Sequence, residues 1–363
     1  MYRKFPRKIK RIVIKVGSSV IATYAMKPRS AQLKSLAAQI SVLQRQGIEV
    51  VLVSSGAIVL GMGEMKLKKR PSSLAALQAL AAIGQNVLMR KYNDFFKAKK
   101  MRCAQVLLTW DDFDNRERYN NARNTFKAIL EQKVVPIVNE NDTISTDEIK
   151  FGDNDKLSAL VASLIDADLL LILSDVEGFY EIKTDGRKKV ICEIKEITKE
   201  IERMATPSKK KEMSKGGMSA KLEAIKIATH AKIPAVIAHG EIKNVLSRVL
   251  KGERIGTLFV EKEEKLISRK HWISFGAKPK GIFVVDDGAK KALLRGGTSL
   301  LLVGVSDTQG TFKKGEVVVV SDKNGHEIAR GISNYSTGDI QKIEEKQGKQ
   351  EAIHCDNMVL SKR

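Results

Sequence analysis

Six short runs of nearly uninterrupted Val, Ile, Leu and Ala constrain this chain more than any other feature. They are RIVIKV (11–16), VVLVSS (50–55), AQVLLT (104–109), VVPIVN (134–139), DLLLILS (168–174) and PAVIAHG (234–240). Such runs suit strands buried on both faces, and amphipathic stretches such as 30–46 and 74–99 separate them. The alternation predicts an α/β fold, a three-layer sandwich in which helices cover a mostly parallel sheet. Pro136 has no N–H for a ladder, so its run is expected near a sheet edge or locally irregular.

At 363 residues the chain is too long for one small core. From about residue 276 the texture changes to short strands and turns, with GIFVVDDG, SLLLVGV and EVVVVSDKNGHEIARGI, then a helical piece near 337–347. KNGH is a hairpin turn signal. The expected organisation is an α/β domain over 1–262 and a small strand-rich, barrel-like domain over 276–363. The charged segment 261–271 is the linker. No long internal repeat is present.

No run approaches the roughly 18 apolar residues of a membrane span. The basic N-terminus followed by IVIKVGSSVIATYA imitates a secretory signal, but Lys15 interrupts its apolar region. Cys103, Cys192 and Cys355 are few and far apart, which suggests neither a disulfide framework nor a zinc site, and the five His show no ligand pairing. A cytoplasmic protein without structural metal is the expectation. The net charge of +22 raises the question of an acidic partner. Residues 276–363 hold 14 Lys and Arg against 11 Asp and Glu, so about +19 belongs to residues 1–275, spread over many Lys rather than gathered in one block.

In open α/β sheets ligands bind beyond the carboxyl ends of the strands. Four of the runs end alike, in KVGSS, SSGA, NENDT and SDVEG, each rich in small, Gly, amide or carboxylate residues. Together they suggest a polar site of phosphate size. Lys15 closes the first strand, ahead of the N–H groups of Gly17, Ser18 and Ser19. Lys221 falls in the first turn of a helix opened by Gly216 and Gly217, where the macrodipole disfavours a cation by about 0.3–1 kcal/mol unless an anion is bound. In IKFGDNDKLSALVA, Asp153, Asn154 and Asp155 crowd another helix start, and capping accounts for one of the three. Two lysines and a Gly-rich helix start fit phosphoryl transfer. The P-loop, protein-kinase and Rossmann signatures are all absent.

In order and spacing, KVGSS, SSGA, NENDT, IKFGDNDKLSA, LSDVEGFY and GGMSAKLEA resemble the amino acid kinase family, and within it the members that phosphorylate glutamate. The last part, with GAKKALLRGGTSLLLVGV and GEVVVV, is similar to the PUA domain that many bacterial members carry. The resemblance implies ATP-dependent phosphorylation of the γ-carboxylate of L-glutamate to γ-glutamyl phosphate, the first step of proline biosynthesis.

By the same resemblance Lys15 and Lys221 neutralise the transferred group and Asp155 holds them in place. Ser55, Asp142 and Asn154 bind glutamate. Ser174 and Asp175, with Lys215, Gly216, Gly217, Met218, Ser219, Ala220 and Lys221, bind ATP. Mg²⁺ rides on the phosphates, with Asp153 a supporting ligand. Ser214, Lys215 and Ala220 depart from the family's small Thr-Gly lead and its Thr before the last lysine. A homo-oligomer, inhibition by proline and a glutamate-5-semialdehyde dehydrogenase partner are further implications. Two other readings stand beside this one. The first is a relative acting on aspartate, an acetylated glutamate or carbamate. The second is an RNA-binding PUA protein, with Phe275, Phe283, Phe312 and Tyr335 as the available stacking residues.

Overall fold

All six apolar runs are strands of one sheet: β1 (Arg11–Val16), β2 (Glu49–Ser54), β3 (Cys103–Leu108), β4 (Val135–Glu140), β5 (Leu169–Ser174) and β9 (Ala235–His239). The computed structural model describes residues 2–144, 154–182, 187–205, 217–262, 270, 272–342 and 350–361. The short strands β8 (Glu193–Ile194) and β10 (Thr257–Phe259) complete the order β3-β4-β2-β1-β5-β9-β10-β8, while β6 (Tyr180–Ile182) and β7 (Lys188–Val190) form a separate ribbon. Neighbours run parallel except β9 and β10. The carboxyl ends of β1, β2, β4 and β5 therefore share one edge of the sheet.

The helices of this part begin with α1 (Ser18–Ile21), α2 (Ser30–Arg45), α3 (Ala57–Glu64), α4 (Leu74–Lys97), α5 (Trp110–Asp114) and α6 (Arg116–Glu131). Ile12, Ile14 and Val16 of β1 join Val50, Leu52, Leu171 and Val236 in one core with Leu33, Leu36 and Ile40 of α2 and Leu88, Tyr92 and Phe96 of α4. The two-residue period of a strand turns Lys15 to the opposite face, against which the helix Asn154–Leu164 packs, itself in contact with the helix Met218–His230. A lysine inside a buried strand thus faces two helix beginnings.

Pro136 lies one strand from the sheet edge, where its ladder is incomplete on one side. β4 is flanked by β3 and β2, so it is not an edge strand, and its six residues are all buried. Pro136 pairs with Ala104 of β3, whereas the ladder to β2 starts one residue later at Ile137. The proline occupies a strand beginning where only one neighbour is present, and the missing donor costs no second ladder.

The chain divides into two compact units, Met1–Asp112 with Arg116–Lys265, and Phe113–Asn115 with Leu266–Arg363. In the second, β11 (Gly281–Val285), β13 (Val305–Gly310), β14 (Val317–Ser321), β15 (Glu327–Ile332) and β17 (Met358–Leu360) form a sheet in the order β13-β11-β14-β15-β17, and β12 (Leu300–Leu301) pairs with β16 (Glu351–Ile353). The helix Asp287–Arg295 is capped by Asp286, which accepts from the Ala289 N–H at 2.7 Å, and ends at Gly296 with φ +81°. KNGH lies in the β14–β15 turn. There Asp322 accepts from the N–H groups of Asn324 and His326, with Gly325 at φ +78°. Lys290, 2.7 Å away, and these N–H groups hold the Asp322 carboxyl far below the usual carboxylate range. Phe283 and Phe312 meet edge to face at 5.4 Å inside this core. Two of the four rings considered for RNA stacking are therefore committed to packing.

Candidate active site

Asp155 is the centre of the site. It is fully buried, and its two oxygens reach two different lysines: Lys15 Nζ at 2.5 Å from Oδ1 and Lys221 Nζ at 2.9 Å from Oδ2. Lys15 comes from β1, Asp155 from the first turn of Asn154–Leu164 and Lys221 from the first turn of Met218–His230. Each lysine is at most 6% exposed. Removing an ion from water costs several kcal/mol, and buried charge groups of this kind rarely stabilise a fold better than apolar residues of the same size. Their natural use is to present positive charge. The three groups together carry one net positive charge at the sheet edge where ligands bind.

Beside this group lies a chain of buried amides. Asn154 donates through Nδ2 to the Asn139 Oδ1 at 2.7 Å, the Ser54 carbonyl at 2.9 Å and the Ser55 Oγ at 3.3 Å. Asn139 in turn donates to Gln85 Oε1 at 2.8 Å, and Ser54 Oγ lies 2.9 Å from the Tyr92 hydroxyl. Asn154 Oδ1 is buried with no hydrogen-bond partner among the described residues. A buried acceptor left open costs about 1–3 kcal/mol, which suits a site whose ligand supplies the donor. Ser55 and Asn154 are brought together. Asp142, half-buried two residues past β4, makes no hydrogen bond to either among the described residues. Burial, then the neighbouring Glu140 carboxylate, pushes its pKa up to about 6 against the opposing pull of Arg70.

Ser174 ends β5, buried, and donates to the exposed Asp175 Oδ1 at 2.9 Å. Gly17 N–H donates to the Leu173 carbonyl at 3.0 Å and Gly240 N–H to the Ser174 carbonyl at 2.8 Å, so the loops after β1, β5 and β9 adjoin. Gly217 is the extended N-cap of the helix Met218–His230 and offers no side chain to its first turn, where Met218, Ser219 and Ala220 precede Lys221. Gly17 caps α1 in the same bare manner. Lys215, Gly216 and Asp153 lie outside the described residues. Reasoning from sequence passed over Gln85, Asn139, Glu140 and Tyr92. Asn139 and Glu140 are inside NENDT, and Gln85 was detectable as a polar residue on the buried face of α4, eight residues after Leu77 and three before Leu88.

Residues 10–239 match the amino acid kinase family and residues 281–354 the PUA domain. A glutamate 5-kinase of Geobacter sp. (strain M21) is 43% identical over 373 residues, covering 99% of this chain and all of that relative. The chain belongs to the glutamate 5-kinase family. A second such kinase, from Dictyoglomus thermophilum, is 46% identical over 368 residues and covers 98% of both chains. Its counterpart from Carboxydothermus hydrogenoformans is 42% identical over 372 residues, with 99% of each covered. The described residues of the motifs that suggested this family, among them Lys15, Ser55, Asn154, Asp155, Ser174 and Lys221, lie at or beside the carboxyl edge of the sheet. No described helix is long and apolar enough to cross a membrane.

Proposed function

We propose that the chain transfers the γ-phosphoryl group of ATP to the γ-carboxylate of L-glutamate, the first step of proline biosynthesis, in the cytoplasm. A carboxylate oxygen forms the new bond to the γ-phosphorus as the bond to the β-phosphate bridging oxygen breaks, giving γ-glutamyl phosphate and ADP. The observation that carries this reading is the Lys15–Asp155–Lys221 group at the sheet edge, with an open amide acceptor beside it. Two anions must approach in line, and two ammonium groups fixed by one carboxylate screen that repulsion without reorganising during the reaction. Asn154 and Ser55 hold glutamate, and Asp142 attracts its α-ammonium. The bare first turns after Gly17 and Gly217 receive phosphate oxygens. Mg²⁺ would supply charge neutralisation to the phosphates. Asp175 fits such an ion, because Ser174 occupies only one of its oxygens and the residue is exposed.

Proline shares the α-carboxylate and a cationic α-nitrogen with glutamate, which supports inhibition at the same groups. The acyl phosphate is prone to hydrolysis, which favours a partner that reduces it. Supplying ATP, Mg²⁺ and hydroxylamine with glutamate, aspartate, acetylglutamate or carbamate in turn tests the assignment. An acyl phosphate is trapped as its hydroxamate, and glutamate should give that product at least tenfold faster than any other acceptor. Equal or faster turnover of another acceptor overturns it.

A further inference from the structure

The catalytic edge uses little of the net charge of +22. At the opposite edge of the sheet, the turns leading into β2, β3 and β4 and the last turn of α2 enclose a cleft of about 1240 Å³. Five of the cations that look dispersed along the sequence meet there. Arg45, Lys99, Lys100, Arg102 and Lys133 all line the cleft and all are exposed. None forms an ion pair with a carboxylate among the described residues. The two carboxylates in the lining are engaged elsewhere, Glu49 with Arg11 at 2.7 Å and Glu131 with Lys127 at 3.9 Å.

Cations commonly gather where helices end, and α2, α4 and α6 all end here. Each helix end supplies at most about half a negative charge, so three of them offset about 1.5 of five positive charges. With the two lining carboxylates also counted, about 1.5 positive charges remain in surplus around one concavity, which also disfavours a second copy of the same surface. We propose that this cleft is a binding site for a small anion carrying three or more contiguous phosphates. It is separate from the catalytic site, since the five residue steps of β2 from Glu49 to Ser54 place it about 17 Å away.

Lys100 and Lys133 each have φ +57°, a left-handed conformation in which Gly is more at ease than Lys. Lys100→Gly with Lys133→Gly therefore removes two cations without straining the turns. Inorganic tripolyphosphate should be titrated calorimetrically into the full-length wild type and this double variant at low salt and without Mg²⁺. The wild type should show a binding event that the variant weakens at least tenfold and that 0.5 M salt suppresses. Glutamate-dependent turnover without polyphosphate should stay within twofold. Identical titrations of the two proteins would reduce the five cations to a solvated face and overturn the proposal. A single-stranded 20-nucleotide RNA that binds the wild type more tightly than tripolyphosphate, and is lost in the variant, would overturn it in favour of nucleic acid.

Discussion

Two carboxylates of the site sit in opposite electrostatic surroundings, and their substitution should separate accordingly. Asp155 is fully buried between Lys15 and Lys221, so Asp155→Asn leaves two ammonium groups facing each other without a counter-charge. Breaking a buried ion pair on one side costs about 3–5 kcal/mol. The variant should lose at least about 100-fold in kcat and melt well below the wild type, and ATP should restore part of the melting temperature by supplying the missing negative charge. Turnover near normal in the folded variant would remove Asp155 from the catalytic group. Asp142 has no such partner among the described residues, and burial beside Glu140 raises its pKa to about 6. Its charge is present above that value and lost below it. If it attracts the α-ammonium of glutamate, KM for glutamate should rise about tenfold per pH unit below 6 while KM for ATP stays level. Asp142→Asn should flatten that profile. An acid-side rise that survives the substitution would assign the titration to another group.

Elements were more legible in the sequence than the contacts between them. The six apolar runs became strands because a buried parallel strand needs little beyond an unbroken β-branched or Leu run, and that pattern is local. Lys15, Asp155 and Lys221 carried no such local mark of their meeting. They stand 140 and 66 positions apart, and only the motif resemblance and then the shared sheet edge joined them. Gln85 and Tyr92 were missed because a polar group on the buried face of a helix shows its purpose only when its partner is known. Which neighbour Pro136 would lack was not legible, because sequence does not say where along a strand its second neighbour begins. The approach of α3 to α4 was likewise invisible. A Cβ on Gly84 would stand 1.7 Å from the Ala57 carbonyl oxygen and 2.4 Å from the Gly61 nitrogen, both backbone atoms that no rotamer change can move. In an open helix Gly→Ala gains about 1 kcal/mol, whereas forcing atoms into a filled contact costs about 1–3 kcal/mol or more. Gly84→Ala should therefore lower the melting temperature by several degrees. Since α3 starts at Ala57, directly after Ser55 and Gly56, the same shift should raise KM for glutamate more than KM for ATP. A melting temperature at or above that of the wild type would show that the two helices can part without cost.

At the scale of the whole chain, the two units are not divided by a single cut. The second takes Phe113–Asn115 from the middle of the first stretch of sequence. Within it, Phe113 is 2% exposed, its carbonyl accepts from Trp272 Nε1 at 2.7 Å, and Asp114 lies 3.5 Å from Lys280. The residues assigned to the reaction all precede 222, so a chain ending at residue 265 retains every one of them. It also retains Phe113 after Trp272 and its surroundings are gone, and returning a buried Phe to water forgoes about 1.5–3 kcal/mol. The shortened chain should keep kcat for glutamate within about threefold of the full chain. It should also self-associate at concentrations where the full chain does not, as light scattering would report. Phe113→Ser in the shortened chain should reverse that association without altering kcat, because the change removes the apolar ring and touches no group proposed to meet substrate. A shortened chain that is folded and monodisperse after Phe113→Ser, yet inactive, would mean that catalysis draws on the second unit.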